Sequence, residues 1–266
     1  MPCGRCVGCR IDRSLSWAIR CSHEASLYRD NCFLTLTYDD EHLPEDNSLN
    51  VVHFQQFMKR LRKSHGKNIR FYHCGEYGEK SRRPHYHALL FNHDFSDKRL
   101  HQTKNDNDLF ISKELSRLWP WGFCLIGAAT FQSAGYVARY IMKKQTGNQS
   151  QSHYQHICPK TGLISQLAPE YTTMSRRPGL GDQWIAKYWR DVYPEDFVVV
   201  NNRKYRPPVY YDRWLEINQP LMYRQLKQRR IRRARENADD STAERLAVRE
   251  FIKMSRLAQL PRELEA

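Results

Sequence analysis

The sequence predicts an α+β fold: a mainly antiparallel sheet of about five strands flanked by helices, followed by a basic helical extension. Three observations predict it. Segments alternating apolar and polar residues with period two are interleaved with segments of helical period. Residues 69–91 read as two apolar-rich strands joined by a short connection carrying Gly78 and Pro84, which is a hairpin and therefore antiparallel. The order helix, strand, helix, hairpin, helix, strand, helix lacks the strict strand-helix alternation of a parallel sheet.

Taken in order, Ser14 to Tyr28 carries Leu15, Ala18, Ile19 and Leu27 at helical spacing. Residues 32–38 alternate as a strand rich in Thr and aromatics, ended by Asp39, Asp40 and Pro44. Phe54, Phe57, Met58 and Leu61 mark a second helix, with Lys59, Arg60, Arg62 and Lys63 on its outer face. The hairpin follows. Residues 92–108 read as a polar loop, 112–118 as a short helix and 123–128 as a strand. Ser133 and Gly147 suit the start and stop of the next helix. Residues 149–166 are polar and loop-like. A helix through Trp184, Ile185, Tyr188 and Trp189 leads to a second hairpin, which turns at Asn201-Asn202. Pro207, Pro208, Tyr210 and Tyr211 then suit either stacking on single-stranded bases or packing on the sheet. From Gln219 the chain reads as long helix with a break at Asp239-Asp240-Ser241. The organisation expected is a Cys-rich segment and first helix (1–31), a core (32–147), an accessory aromatic and basic region (148–218) and a basic helical tail (219–266).

At 266 residues the chain can bury a full core, and 40% hydrophobic residues with 12% aromatic exclude wholesale disorder. No apolar run approaches the roughly 20 residues that span a bilayer, and no signal-peptide pattern opens the sequence, so a cytoplasmic protein with no membrane partner is expected. A net charge of +14 and a pI near 9.5 favour polyanionic partners, nucleic acid first. Arg224, Lys227, Arg229, Arg230, Arg232, Arg233 and Arg235 make the tail a candidate phosphate handle.

The chemistry-bearing residues fall in three places. His85 and His87 lie two apart on one strand, so both imidazoles leave the same face. If the hairpin pairs, it returns Glu76 beside them, and two imidazoles with a carboxylate suit a divalent ion that keeps positions open for substrate. Cys3, Cys6 and Cys9 can bind zinc, which takes four ligands in structural sites, with Cys21, His23 or Cys32 as the fourth. In a helix from Ser133, Tyr136, Tyr140, Lys143 and Lys144 share one side, while Ala134, Val137, Ala138 and Ile141 make a separate aliphatic stripe.

The strand Phe33 to Thr37, then His85-Tyr86-His87, then Tyr136-x-x-x-Tyr140 resemble, in that order, the HUH endonucleases of rolling-circle replication that use two tyrosines. The segments CGRCVGCR, CGEYGEKSRRPHYHALLF, AGYVARYIMKK, MSRRPGLG and RPPVYYD resemble the replication initiators of microviruses of the gokushovirus type. The resemblance runs from Cys3 to about Asp212. It implies His85 and His87 as ligands of Mg2+ or Mn2+, Glu76 as the third ligand with Glu79 in reserve, and Tyr136 and Tyr140 as nucleophiles. Lys143 or Lys144 would stabilise phenolate or scissile phosphate. The implied activity nicks the origin strand, keeps the 5′-phosphate on tyrosine, leaves a 3′-OH primer and later closes the displaced strand into a circle. Implied partners are single-stranded and replicative-form phage DNA with a host helicase and polymerase, in the cytoplasm of a bacterial host. A zinc-dependent nucleic-acid binder, a genome-condensing protein and a relaxase or transposase with the same core are the alternatives.

Overall fold

The computed structural model describes residues 3–259 apart from 5, 79–80, 105, 144–149, 158–161 and 163, with the side chains at 140–143, 156–157 and 257 also outside the description. In chain order the elements are α1 (Val7–Ala25), β1 (Asn31–Thr37), α2 (Val51–His65), β2 (Arg70–Tyr77), β3 (Pro84–Phe91), β4 (Arg99–Lys104), β5 (Asn107–Ile111), α3 (Lys113–Leu118), β6 (Cys124–Ala128) and α4 (Phe131–Lys143). Then come α5 (Ser150–His153), β7 (Gln155–Ile157), β8 (Ile164–Gln166), β9 (Tyr171–Met174), α6 (Asp182–Val192), β10 (Val198–Val200), β11 (Arg203–Tyr205), α7 (Val209–Asn218) and α8 (Pro220–Glu236). A 3-10 turn (Ala238–Ser241) separates α8 from α9 (Ala243–Ala258), at the predicted break.

The main sheet has seven strands in the order β4-β5-β6-β1-β3-β2-β9, and every neighbouring pair is antiparallel. The class is as predicted, and the strand count exceeds the expected five. The β4–β5 hairpin overlaps the stretch read as a polar loop; all six residues of β4 are exposed, so no buried alternation marks it. β7 and β8 form a separate two-stranded piece within the other loop-like stretch.

Alternation on the central strands divides the interior. Leu34 and Leu36 of β1 and Tyr86, Ala88 and Leu90 of β3 face one side, packed with Phe54, Phe57, Met58 and Leu61 of α2 and Leu115 and Leu118 of α3. Phe33, Leu89, Phe91, Tyr72 and Cys74 face the other side, under Ala18 and Cys21 of α1 and Ala134, Val137 and Ala138 of α4. A third core joins Ile19 of α1 to Ile185, Tyr211, Leu215 and Leu226 of the C-terminal helices.

Local chemistry sets the helix ends. Asn50 caps α2 by accepting the Val52 amide at 3.0 Å, and Ser112 caps α3 by accepting the Leu115 amide at 3.0 Å. The cap of α4 is Thr130 and not Ser133: Thr130 Oγ1 accepts the Ser133 amide at 3.1 Å, and Ser133 Oγ accepts the Thr130 amide at 2.8 Å. Gly147 lies outside the described residues. α1 starts at Val7, ahead of the predicted Ser14, so Cys9 sits in its first turn with Cys6 as cap. The β10–β11 turn is as expected, with Asn201 and Asn202 at φ 48° and 58°.

Two other expectations change. Tyr211 is fully buried, its hydroxyl 2.9 Å from His23 Nδ1 and its ring stacked on Trp184, so it packs against helices and is closed to bases. Tyr210 donates its hydroxyl to Asp182 at 2.7 Å. In the tail, Arg230 binds Asp196 and Asp212, and Arg229 donates to the carbonyls of Tyr193 and Pro194. Those two guanidiniums fasten α8 to the fold.

Candidate active site

Strand pairing assembles the site. β2 and β3 pair with Glu76 opposite His85 and Cys74 opposite His87, and β1 pairs with β3 so that Thr35 lies opposite His87. Because side chains alternate, Glu76, His85, His87 and Thr35 emerge on one face, the face that α1 and α4 cover. Glu76 Oε1 is 2.8 Å from His85 Nε2 and 2.9 Å from His87 Nε2. One ligand atom from each of the three residues lies within 4.8 Å of the others.

The remaining ring nitrogens are tied to protein. His87 Nδ1 is 3.0 Å from Thr35 Oγ1, and His85 Nδ1 is 3.2 Å from the Arg83 carbonyl. A carbonyl can only accept, so a proton on His85 Nδ1 satisfies it, and at Nε2 a metal ion would take the place of the proton that the Glu76 carboxylate accepts here. Burial works against ionisation of Glu76, and the two imidazoles outweigh it, holding the carboxyl well below the ordinary carboxylate range. With an ion in place of the protons shared with Glu76, the trio would offer two imidazole nitrogens and one anionic oxygen, a donor set that fits Mg2+ or Mn2+ with positions left over. Glu76 and His87 are each 2% exposed while His85 is 19% exposed, so solvent reaches the trio from the His85 side.

Helix α4 brings Tyr136 to this face. Its ring sits edge-on to His87, centroids 5.1 Å apart, and edge-on to Phe33, with the Arg139 guanidinium 5.7 Å above it. Tyr136 is 7% exposed and belongs to the same apolar cluster as Val137 and Ala138, so it is not on a side wholly separate from the aliphatic stripe. Tyr140 and Lys143 lie on the described backbone of α4, one and nearly two turns further on, and their side chains are outside the description, as are Lys144 and Glu79 altogether.

Thr35 is the site residue that the sequence pattern leaves without a role. Its signal is a buried polar residue in the inward series Phe33, Thr35 of a strand whose other face is leucine. The cysteines form a second group: Cys3, Cys6 and Cys9 have their sulfurs within 4.8 Å of one another. Cys21, His23 and Cys32, the expected fourth ligands, are buried in three different parts of the interior and do not join them.

No helix among the described residues is long and apolar enough to cross a membrane. Residues 31–145, which hold the trio and most of the sheet, match the family model for replication-associated protein ORF2/G2P. The chain is 36% identical to replication-associated protein VP4 of Bdellovibrio phage phiMH2K over 229 residues, covering 82% of this chain and 68% of that protein. It is 36% identical to replication-associated protein ORF2 of Spiroplasma virus 4, covering 81% of this chain and 68% of that protein. Replication-associated protein ORF4 of Chlamydia phage 1 is 32% identical, with 79% of this chain aligned to 52% of that protein. No solved structure matches the chain. On these similarities, which reach from the sheet well beyond the family model's span, the chain belongs to the replication-associated proteins of the microviruses.

Proposed function

We propose that the protein initiates replication of a small phage genome by cutting the origin strand with a tyrosine. The observation that carries this reading is one face of the sheet, where Glu76, His85 and His87 converge and the Tyr136 ring lies against His87.

Glu76, His85 and His87 would hold Mg2+ or Mn2+, which supplies Lewis acidity to the scissile phosphate when bound. The chain's own residues do the rest. Tyr136 or Tyr140 attacks phosphorus; a P–O bond to tyrosine forms, the bond to the 3′ oxygen breaks, and the tyrosine proton leaves so that the strand departs as a 3′-OH. A phenol has a reference pKa of about 10, so losing that proton needs a nearby cation. Lys143 at the end of α4 and Lys144, which follows it in sequence, are assigned to that task. Burial of Tyr136 on Phe33 and His87 limits the ring's freedom and keeps the attacking group near one position. The phosphotyrosine ester conserves the bond energy, so attack by a free 3′-OH rejoins DNA without a nucleotide cofactor. Two tyrosines four residues apart are offset by about 6 Å along the helix, which lets one hold the old 5′ end while the other cuts the regenerated origin. A host polymerase would extend the 3′-OH and a host helicase would open the replicative form.

The test is a denaturing gel of origin-bearing single-stranded DNA with manganese, using wild type, Tyr136→Phe, Tyr140→Phe and the double variant. The expected result is a covalent protein–DNA band that the double variant lacks. Tight binding with no adduct on the cognate origin would return the protein to the class of basic binders.

A further inference from the structure

We infer that Cys3, Cys6 and Cys9 form a thiolate site for zinc at the start of α1, separate from the histidine site. The sulfurs of Cys3 and Cys9 are 3.9 Å apart. Zinc bonds sulfur at about 2.3 Å in a tetrahedron, which places two ligand sulfurs about 3.8 Å apart. Disulfide bonding would need about 2.05 Å, and none of the three cysteines is in a disulfide. The Cys6 amide donates to Cys3 Sγ at 3.3 Å, a bond that favours sulfur as thiolate.

The backbone explains how three cysteines at x2 spacing meet. Gly4 has φ 74°, a left-handed turn that only glycine takes without strain, and it folds the chain back after Cys3. Cys6 then caps α1, and Cys9 stands in the first turn, so two of the three thiols sit where the helix presents its positive end. Cys3 and Cys6 are exposed, so an ion and a solvent molecule as fourth ligand can reach them. The Arg10 amide already ties the Cys6 carbonyl to the first turn at 3.0 Å, and a shared ion would fasten Cys3 there as well. On the same helix, Arg20, Cys21 and Glu24 pack one to two dozen residues further along, against the sheet and α6. A zinc site there would thus brace the N-terminal end of the helix that roofs the histidine face, the end that Lys253 of α9 also holds through Asp12.

The test uses the full chain in a His85→Ala, His87→Ala background, so that metal at the histidines cannot contribute. Purified from zinc-supplemented cells, it should carry about one zinc ion per chain, and cobalt(II) exchanged for zinc should give the thiolate charge-transfer and strong visible bands of a tetrahedral site. Cys3→Ser, an exposed position outside the helix, should lose most of the metal while keeping the helical circular dichroism of its parent; Cys9→Ser should do the same. Unchanged zinc content in both serine variants would overturn the assignment. So would iron with sulfide and broad visible absorption, which would mark a cluster in place of zinc, or a metal-free protein whose thiols all react with a thiol reagent.

Discussion

Replacing Thr35 by valine keeps the shape of the side chain and removes the hydroxyl 3.0 Å from His87 Nδ1. Thr35 is buried at 5% exposure, so water cannot take over that contact at once. Losing a buried partner in this way is worth about 1–3 kcal/mol, and here the loss falls on the orientation and tautomer of a ring proposed to bind metal. Partners of this kind typically contribute about 10- to 100-fold to metal affinity or activity, or about 1.4–2.7 kcal/mol. The assay is adduct formation on origin DNA across a manganese titration, with urea unfolding run alongside. Thr35→Val should need about 10-fold or more manganese for half-maximal adduct, and Thr35→Ser, which keeps the hydroxyl, should stay near wild type. If the folded valine variant titrates like wild type, Thr35 does not orient His87 and the reasoning fails.

A chelator should abolish the covalent adduct and leave single-stranded DNA retention on a filter largely intact, because the basic surface binds phosphate without the ion. Arg230→Ala strips Asp196 and Asp212, both largely buried, of their shared guanidinium; a broken buried pair costs about 3–5 kcal/mol, and the 21% exposure of Arg230 reduces that to roughly 2 kcal/mol, or about 5 °C in Tm by calorimetry. His23 is kept neutral by burial, its pKa lowered to about 3 against 6.5 for a free imidazole. The unfolded chain therefore binds the extra proton: the contribution of His23 is complete above pH ~6.5 and is lost as pH falls toward ~3, by up to about 1.4 kcal/mol per pH unit. Urea midpoints at about pH 7.5 and 5 should diverge less in His23→Gln than in wild type.

The parts of the fold legible in the sequence are those where burial is one-sided. β1 and β3 alternate because each divides two cores, and the α2 stripe of Phe54, Phe57, Met58 and Leu61 is wholly buried. What hid was either exposed or held by polar contacts. β4 has no buried residue to mark it, and the first turns of α1 carry Val7, Ile11 and Leu15 at helical spacing but bury them only in part, beside the exposed Asp12 and Arg13. The Thr130–Ser133 cap offers two hydroxyl residues three apart, and either fits a helix start until the reciprocal bonds are seen. At the site, the pairing of Glu76 with the histidines follows from hairpin geometry, whereas Thr35 comes from a strand 52 positions from His87 and needs the β1–β3 register to place it.

Glu24 carries a consequence for how such genes can be exchanged. This carboxylate, 2% exposed on α1, binds Arg70 on β2 and accepts the Gly181 amide at 2.6 Å at the start of α6. Glu24 and its two partners thus stand before, within and after the stretch 31–145 that the family model covers. A recombination joint between Glu24 and Arg70 hands the offspring a hybrid whose buried charge depends on two parents. Unless both donors supply the matching partner, that hybrid begins with a deficit of about 3–5 kcal/mol, a large part of the 5–15 kcal/mol that keeps a protein folded. Such genes are therefore expected to travel between phage lineages as one piece from α1 to β2, and mosaic joints inside that interval to be purged.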